Sequence, residues 1–186
     1  MKFLAKGKRG RVYIDKKDGK FVCIKKSDEK RVRNEVYWLR ILNEYKIGPK
    51  LISNKKGSLC YEFVEGEFIL NYLKDKNKDE VKNIIIKVLK QCRRLDKLKV
   101  NKFEMHKPLK HVIIKNDNPV MIDFERCKET PSPKNVTQFC QFIMSKKFNW
   151  NLNIEKKKMI KILKEYKKDE SEKNFKEVLR FIELLN

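Results

Sequence analysis

Long apolar runs are missing from this 186-residue chain. None approaches the roughly 20 residues that cross a bilayer, so no membrane span is expected. MKFLAKGKRG turns charged almost at once, so no secretory leader is expected either. Paired cysteines are also missing. Cys23, Cys60, Cys92, Cys127 and Cys140 are odd in number, widely spaced and without a C-x-x-C pair. That excludes a disulfide scaffold and fits a reducing cytoplasm. Three of them lie inside apolar runs, where a free thiol behaves as a small hydrophobe. Arginine is scarce, at 9 of the 47 basic residues against 38 lysines. A chain built to read phosphates leans on the bidentate arginine fork. The net charge of +22 would suit nucleic acid or an anionic surface. Lysines spread through every segment read first as solvated surface, with RNA contact as the alternative.

What is present is enough apolar residue, 40%, to bury one core or two small lobes sharing a cleft. The first third reads as strands: 1–5, 11–14 and 20–25, separated by Gly7 and Gly10 and then by Asp18-Gly19, a strong hairpin signal. Ser27, Asp28 and Glu29 provide an N-cap and an acidic first turn. Val32, Val36, Leu39, Leu42 and Tyr45 then recur at helical spacing until Gly48-Pro49 stops the helix. Residues 50–53 and 58–64 read as two more strands, and 79–98 as a long amphipathic helix. Residues 112–114 and 119–124 form a small hairpin turned at Asn116-Asp117-Asn118. After a loop marked by Pro131 and Pro133, helices are expected over 135–146, 154–167 and 172–185. Strands first, helices last and one helix among the strands is an α+β pattern.

Four stretches carry chemistry. AKGKRGRV, from Ala5 to Val12, is a glycine-containing turn where backbone can approach a ligand. VCIK ends the third strand, with Cys23 and Lys25 on one face. An inward lysine is costly unless an anion meets it, and Glu35 on the next helix is nearly in register with Val32, Val36 and Leu39. CYEFVEGEF, from Cys60 to Phe68, is the end of the fifth strand and the segment that leads out of it. VMIDFERC runs three apolar residues into Asp123, with Phe124 and Glu125 directly behind.

In this order the stretches resemble the protein-kinase fold, closest to compact atypical kinases such as the RIO-type and KEOPS-complex kinases and short predicted archaeal Ser/Thr kinases. AKGKRGRV matches G-x-G-x-x-G-x-V with Ala5 in the first glycine position, and VCIK matches V-A-I-K. The resemblance implies a small antiparallel β N-lobe with one helix over 1–66 and a reduced, mainly helical C-lobe over 67–186. It implies that Ala5, Gly7, Gly10, Val12, Cys23, Lys25, Glu35, Glu62 and Val64 form an ATP site, with Glu35 pairing Lys25 and Glu62–Val64 at the hinge. MIDFERC takes the place of D-F-G, which makes Asp123 a ligand of Mg²⁺ or Mn²⁺. Glu125 replaces the family's glycine, as in some kinase-like small-molecule phosphotransferases.

The catalytic loop departs from H-R-D-x-x-x-x-N. FEMHKPLKHVII holds both histidines of the chain, five positions apart. One register puts His106 at the base position and His111 at the second metal-ligand position, with Lys110 as a catalytic-loop lysine. The other puts His106 on the family's histidine and Pro108 at the base position, leaving no base. The implied activity is ATP-dependent transfer to a protein substrate or to the chain itself. The alternatives are a non-catalytic pseudokinase, a small-molecule kinase and a basic RNA-associated protein.

Overall fold

The computed structural model describes residues 1–7, 9–145, 148 and 152–185. Lys8, in the glycine-containing turn, and Lys146, the expected end of a helix, lie outside the described residues. The architecture is α+β, beginning with a five-stranded antiparallel sheet in the order β1-β2-β3-β5-β4. The strands are β1 (Lys2–Lys6), β2 (Gly10–Lys17), β3 (Lys20–Ser27), β4 (Leu51–Lys55) and β5 (Ser58–Glu62). The β2–β3 turn puts Asp18 and Gly19 at φ 49° and 76°, the left-handed pair that a two-residue hairpin requires.

Helix α1 (Glu29–Glu44) packs on one face of this sheet. Asp28, rather than Ser27, caps it by accepting from the Arg31 amide at 3.0 Å. Val32, Val36, Trp38, Leu39 and Leu42 are buried with Cys23, Leu59 and Tyr61 of the sheet. Tyr45, expected on that apolar stripe, is 47% exposed, because the helix ends one residue before it and the chain turns away. Gly48, at φ 79°, is a true requirement: a Cβ there would meet Phe124 Cε2 at 2.8 Å.

Beyond the sheet come β6 (Glu67–Phe68), α2 (Ile69–Tyr72) and the long α3 (Lys78–Lys97), then β7 (Val100–Asn101), β8 (Val112–Lys115), β9 (Asn118–Met121) and β10 (Lys128–Glu129). Strands β6, β8 and β9 form one small sheet, and β7 and β10 pair separately. The hairpin strand expected to run to Phe124 stops at Met121. Helices α4 (Asn135–Ile143), α5 (Lys156–Lys168) and α6 (Glu172–Glu183) complete the chain. Among the described residues, no helix is long and apolar enough to cross a membrane. A single buried cluster runs from Cys23 to Leu185.

Helix α4 begins without a cap from its own Lys134. Its first amides are satisfied from elsewhere: Lys134 donates to Asn101 Oδ1 (2.8 Å), and Asn135 and Val136 donate to the Asp96 carboxylate (3.0 and 3.3 Å). Asp96 is fully buried and also accepts from Asn135 Nδ2 (2.7 Å) and the Tyr166 hydroxyl (2.9 Å). Replacing Asp96 by Ala strands these donors in the core. We expect a loss of about 3–5 kcal/mol in urea unfolding, the range for breaking a buried polar network. A loss under about 1 kcal/mol would mean that water replaces the carboxylate.

Candidate functional site

The antiparallel register sets the inner face of the sheet. Ala5 opposes Val12, Val12 opposes Lys25 and Lys25 opposes Leu59, so three expected binding residues stand in one cross-strand row. Cys23 lies in the adjacent row with Tyr61 and is buried, and burial pushes its thiol up to about 11. Gly7 closes the β1–β2 turn by donating to the Gly10 carbonyl at 2.9 Å. Gly10 has a packing reason of its own: a Cβ would meet the Lys26 carbonyl oxygen at 2.6 Å. Glu62 is exposed at the end of β5 and Val64 is half-buried just beyond it.

Lys25 is the centre of the arrangement. Its Nζ reaches Asp123 Oδ1 at 2.6 Å, Glu35 Oε2 at 2.8 Å and Glu125 Oε2 at 3.1 Å. The three carboxylates come from a helix and from the segment after β9, and their oxygens lie within 4.8 Å of one another. Glu35 is 1% exposed on α1, and its other oxygen accepts from the Phe124 amide at 3.2 Å. Burial pushes Glu35 above the usual carboxylate range, with Lys25 opposing. For Asp123 burial works in the same direction, but the charges of Lys25 and Lys102 outweigh it and hold the group below its ordinary value. Burial disfavours the Lys25 ammonium, yet Glu35 and Asp123 more than compensate and raise it.

The segment after β9 is held by α1. Asn34 Nδ2 donates to the carbonyls of Glu125 (2.8 Å) and Cys127 (3.1 Å), and the Trp38 indole donates to Cys127 (2.8 Å). Arg31 Nη1 meets Glu125 Oε1 at 3.2 Å. Asp123 itself adopts φ 65°, a left-handed conformation that Asp tolerates better than most residues but that still costs of order 1–3 kcal/mol. Lys102 Nζ donates to the Asp123 carbonyl and braces it there.

No family model and no curated protein matches this chain.

His111 enters the site through the backbone. After β9 ends, Ile122 still donates to the His111 carbonyl at 3.0 Å, which sets the two side chains that flank this bond next to each other. His111 Nδ1 is buried without a hydrogen-bond partner, and Asp123 Oδ2 stands 3.5 Å away. Burial, and then Lys102, lower the His111 pKa, so the ring is neutral near pH 7. Donors bound at about 2.1 Å to adjacent corners of an octahedral ion lie roughly 3 Å apart. An orphaned ring nitrogen this close to an ionised carboxylate therefore suits a divalent metal with only a small closing movement.

His106 and Lys110 are exposed on short 3₁₀ turns, and no described ion pair or hydrogen bond joins them to Lys25 or Asp123. His106 Nδ1 stands 2.6 Å from the Phe103 carbonyl. A carbonyl only accepts, so Nδ1 is the donor in this contact.

Two contributors escape the sequence reading. Lys102 is fully buried, 4.8 Å over the Phe124 ring, with Glu104 Oε2 at 3.3 Å. Nothing in its neighbourhood distinguishes it from the other lysines. Glu125, taken as a replacement for a glycine, is an ion-pair partner of both Lys25 and Arg31, a role that its place two residues after Asp123 could have signalled.

Proposed function

We propose that this chain is an ATP-dependent phosphotransferase of the compact protein-kinase type, acting on a hydroxyl of a protein substrate or of itself. The observation that carries the reading is the junction of Lys25 with Glu35 and Asp123, three residues whose sequence order matches the lysine, helix glutamate and metal-binding aspartate of protein kinases. Lys25 would bind phosphate oxygens and Glu35 would hold it in place. Asp123 and His111 would hold a divalent metal, which would supply positive charge against the phosphates. His106, exposed and held through Nδ1 by the Phe103 carbonyl, is the group that could accept the hydroxyl proton from a large substrate. Positioning and charge neutralisation dominate phosphoryl transfer, so a histidine base is tolerable. Incubating the protein with γ-labelled ATP and each divalent metal tests this. Label on a serine or threonine supports it, label on an added small alcohol favours a small-molecule kinase, and nucleotide binding without turnover favours a pseudokinase.

Lys25 Nζ donates hydrogen bonds to Glu35 and Asp123 and is paired with Glu125 at 3.1 Å without one. A phosphate oxygen that reaches the ammonium would compete with these carboxylates, and most easily with Glu125. Glu125 is the partner with somewhere else to go, because Arg31 already holds its second oxygen. Glu125→Gln is expected to bind a non-hydrolysable ATP analogue about tenfold more tightly, roughly 1.4 kcal/mol by calorimetry. Weaker binding would instead make Glu125 part of the ligand's own site.

The second metal ligand is also testable. An imidazole nitrogen shifts preference from Mg²⁺ toward Mn²⁺, while an amide oxygen suits Mg²⁺. Mn²⁺ should support nucleotide binding better than Mg²⁺ in the parent, and His111→Asn should reverse the order. Identical metal profiles for the two proteins would remove His111 from the site.

A further inference from the structure

The opposite face of the five-stranded sheet has a pattern of its own. Lys6 opposes Arg11, Arg11 opposes Lys26, Lys26 opposes Ser58 and Ser58 opposes Lys55. Directly opposed residues share a face, so one row crossing all five strands carries four cations. All four are exposed, and among the described residues none of them makes an ion pair. The neighbouring row is Phe3, Tyr13, Ile24, Cys60 and Ser53. Phe3 is 54% exposed and meets Tyr13 edge-to-face at 5.8 Å, and Lys26 lies over the Tyr13 ring at 5.0 Å. Neither row contains an acid. In the third row Asp15 is paired with the N-terminal amine at 3.0 Å, and Glu62 is at the far end. Helix α1 packs on the other face, and a groove of about 490 Å³ bordered by Ile24, Lys26, Ser53, Lys55 and Cys60 runs along this one.

We propose that this outer sheet face binds single-stranded nucleic acid, with phosphates along the Lys6–Arg11–Lys26–Lys55 row and bases on the Phe3–Tyr13 row. Four inter-strand steps make the cationic row about 19 Å long, and the two rows are about 6.7 Å apart along the strands. A charged track beside the exposed Phe3 ring and the half-buried Tyr13 ring is the arrangement that holds an unpaired strand, since a duplex hides the base faces that rings stack on. This inference concerns a surface remote from the Lys25 face and does not depend on the phosphotransferase reading.

The test uses the full chain and fluorescein-labelled oligo(U) and oligo(dT) of roughly 15 nucleotides, followed by anisotropy from about 50 mM salt upward. Arg11→Glu with Lys26→Glu should weaken binding at least tenfold and flatten the plot of log K against log salt by about 1.4, the share of two single-strand phosphate contacts. Phe3→Ala should weaken binding between about 5- and 100-fold without changing that slope, because a stacked base is lost and no charge. Lys156→Glu with Lys157→Glu, an equal charge change on exposed α5, should leave affinity within about twofold. A preference between the two oligonucleotides assigns RNA or DNA. Equal losses for the two charge-reversal pairs, no binding by the parent, or tighter and equally mutation-sensitive binding to phosphatidylserine vesicles would each overturn the proposal.

Discussion

Asp123→Ala is expected to abolish metal-dependent ATP binding while the fold survives. Asp123 reaches both the Lys25 ammonium, at 2.6 Å, and His111 Nδ1, at 3.5 Å. On the proposed reading its removal would take away the charged metal ligand and leave an imidazole alone, which holds Mg²⁺ poorly. Alanine also carries a backbone cost at φ 65°, about 1–2 kcal/mol, that has nothing to do with metal. Asp123→Asn separates the two effects, because Asn tolerates the left-handed region and keeps the shape. Both variants should fall to affinities weaker than about 1 mM for Mn²⁺·ATP in calorimetry, and the Asn variant should unfold at nearly the parent's urea midpoint. Parent-like nucleotide binding by either variant would show that the metal is held elsewhere.

Lys25→Met should produce the largest loss of stability of any single change around Lys25, Glu35 and Asp123, about 3–5 kcal/mol near pH 7. The substitution leaves Glu35, 1% exposed, without its ammonium, and a buried carboxylate without a charged partner is the costly species, while Glu125 keeps Arg31. Asp123, with a side chain 31% exposed, is better screened and contributes less. The pH dependence follows from the direction of each shift. The pKa of Glu35 is raised by burial, so its contribution is full below its unfolded value of 4.5 and is lost as pH rises through the folded value. Asp123 is lowered chiefly by Lys25, so its contribution is present above 3.8 and is lost as pH falls through its folded value. Removing Lys25 takes away the charge that opposes burial at Glu35 and Asp123, and so raises the folded pKa of both. The variant's deficit should therefore narrow between about pH 7 and pH 5 as they take up protons. A deficit that is the same at both values would mean that the carboxylates have found other cations.

The parts of this site that the sequence made legible are those written in residue type and order. A lysine closing an inward-facing strand row, a glutamate on an apolar helix stripe and an aspartate after an apolar run meet because each obeys its own periodicity. Helix α1 was readable for the same reason, with a cap and a stop that a one-dimensional pattern contains. What escaped depends on three-dimensional competition. Strand β9 stops at Met121 because Asp123 turns left-handed to reach Lys25, and nothing in VMIDF encodes that sign of φ. Gly10 was read as room for a ligand, but packing against the Lys26 carbonyl already requires it. Lys102 was concealed by abundance: among 38 lysines, composition cannot mark the one that is fully buried. The pairings of β6, β7 and β10 involve two residues each, too few to leave a period.

Trp38 gives the Lys25 site an optical signal. Its indole is 6% exposed and donates to the Cys127 carbonyl, which belongs to the segment that carries Asp123 and Glu125. The chain has 2 tryptophans, so Trp150→Phe leaves Trp38 as the sole emitter. A ligand that draws Glu125 away from Lys25, or moves α1 relative to residues 123–127, lengthens that indole hydrogen bond or admits water to it. Either event moves the emission toward the red. Motion of the helix against the acid-bearing segment can therefore be followed in stopped flow without an attached dye, on the timescale of ligand binding itself.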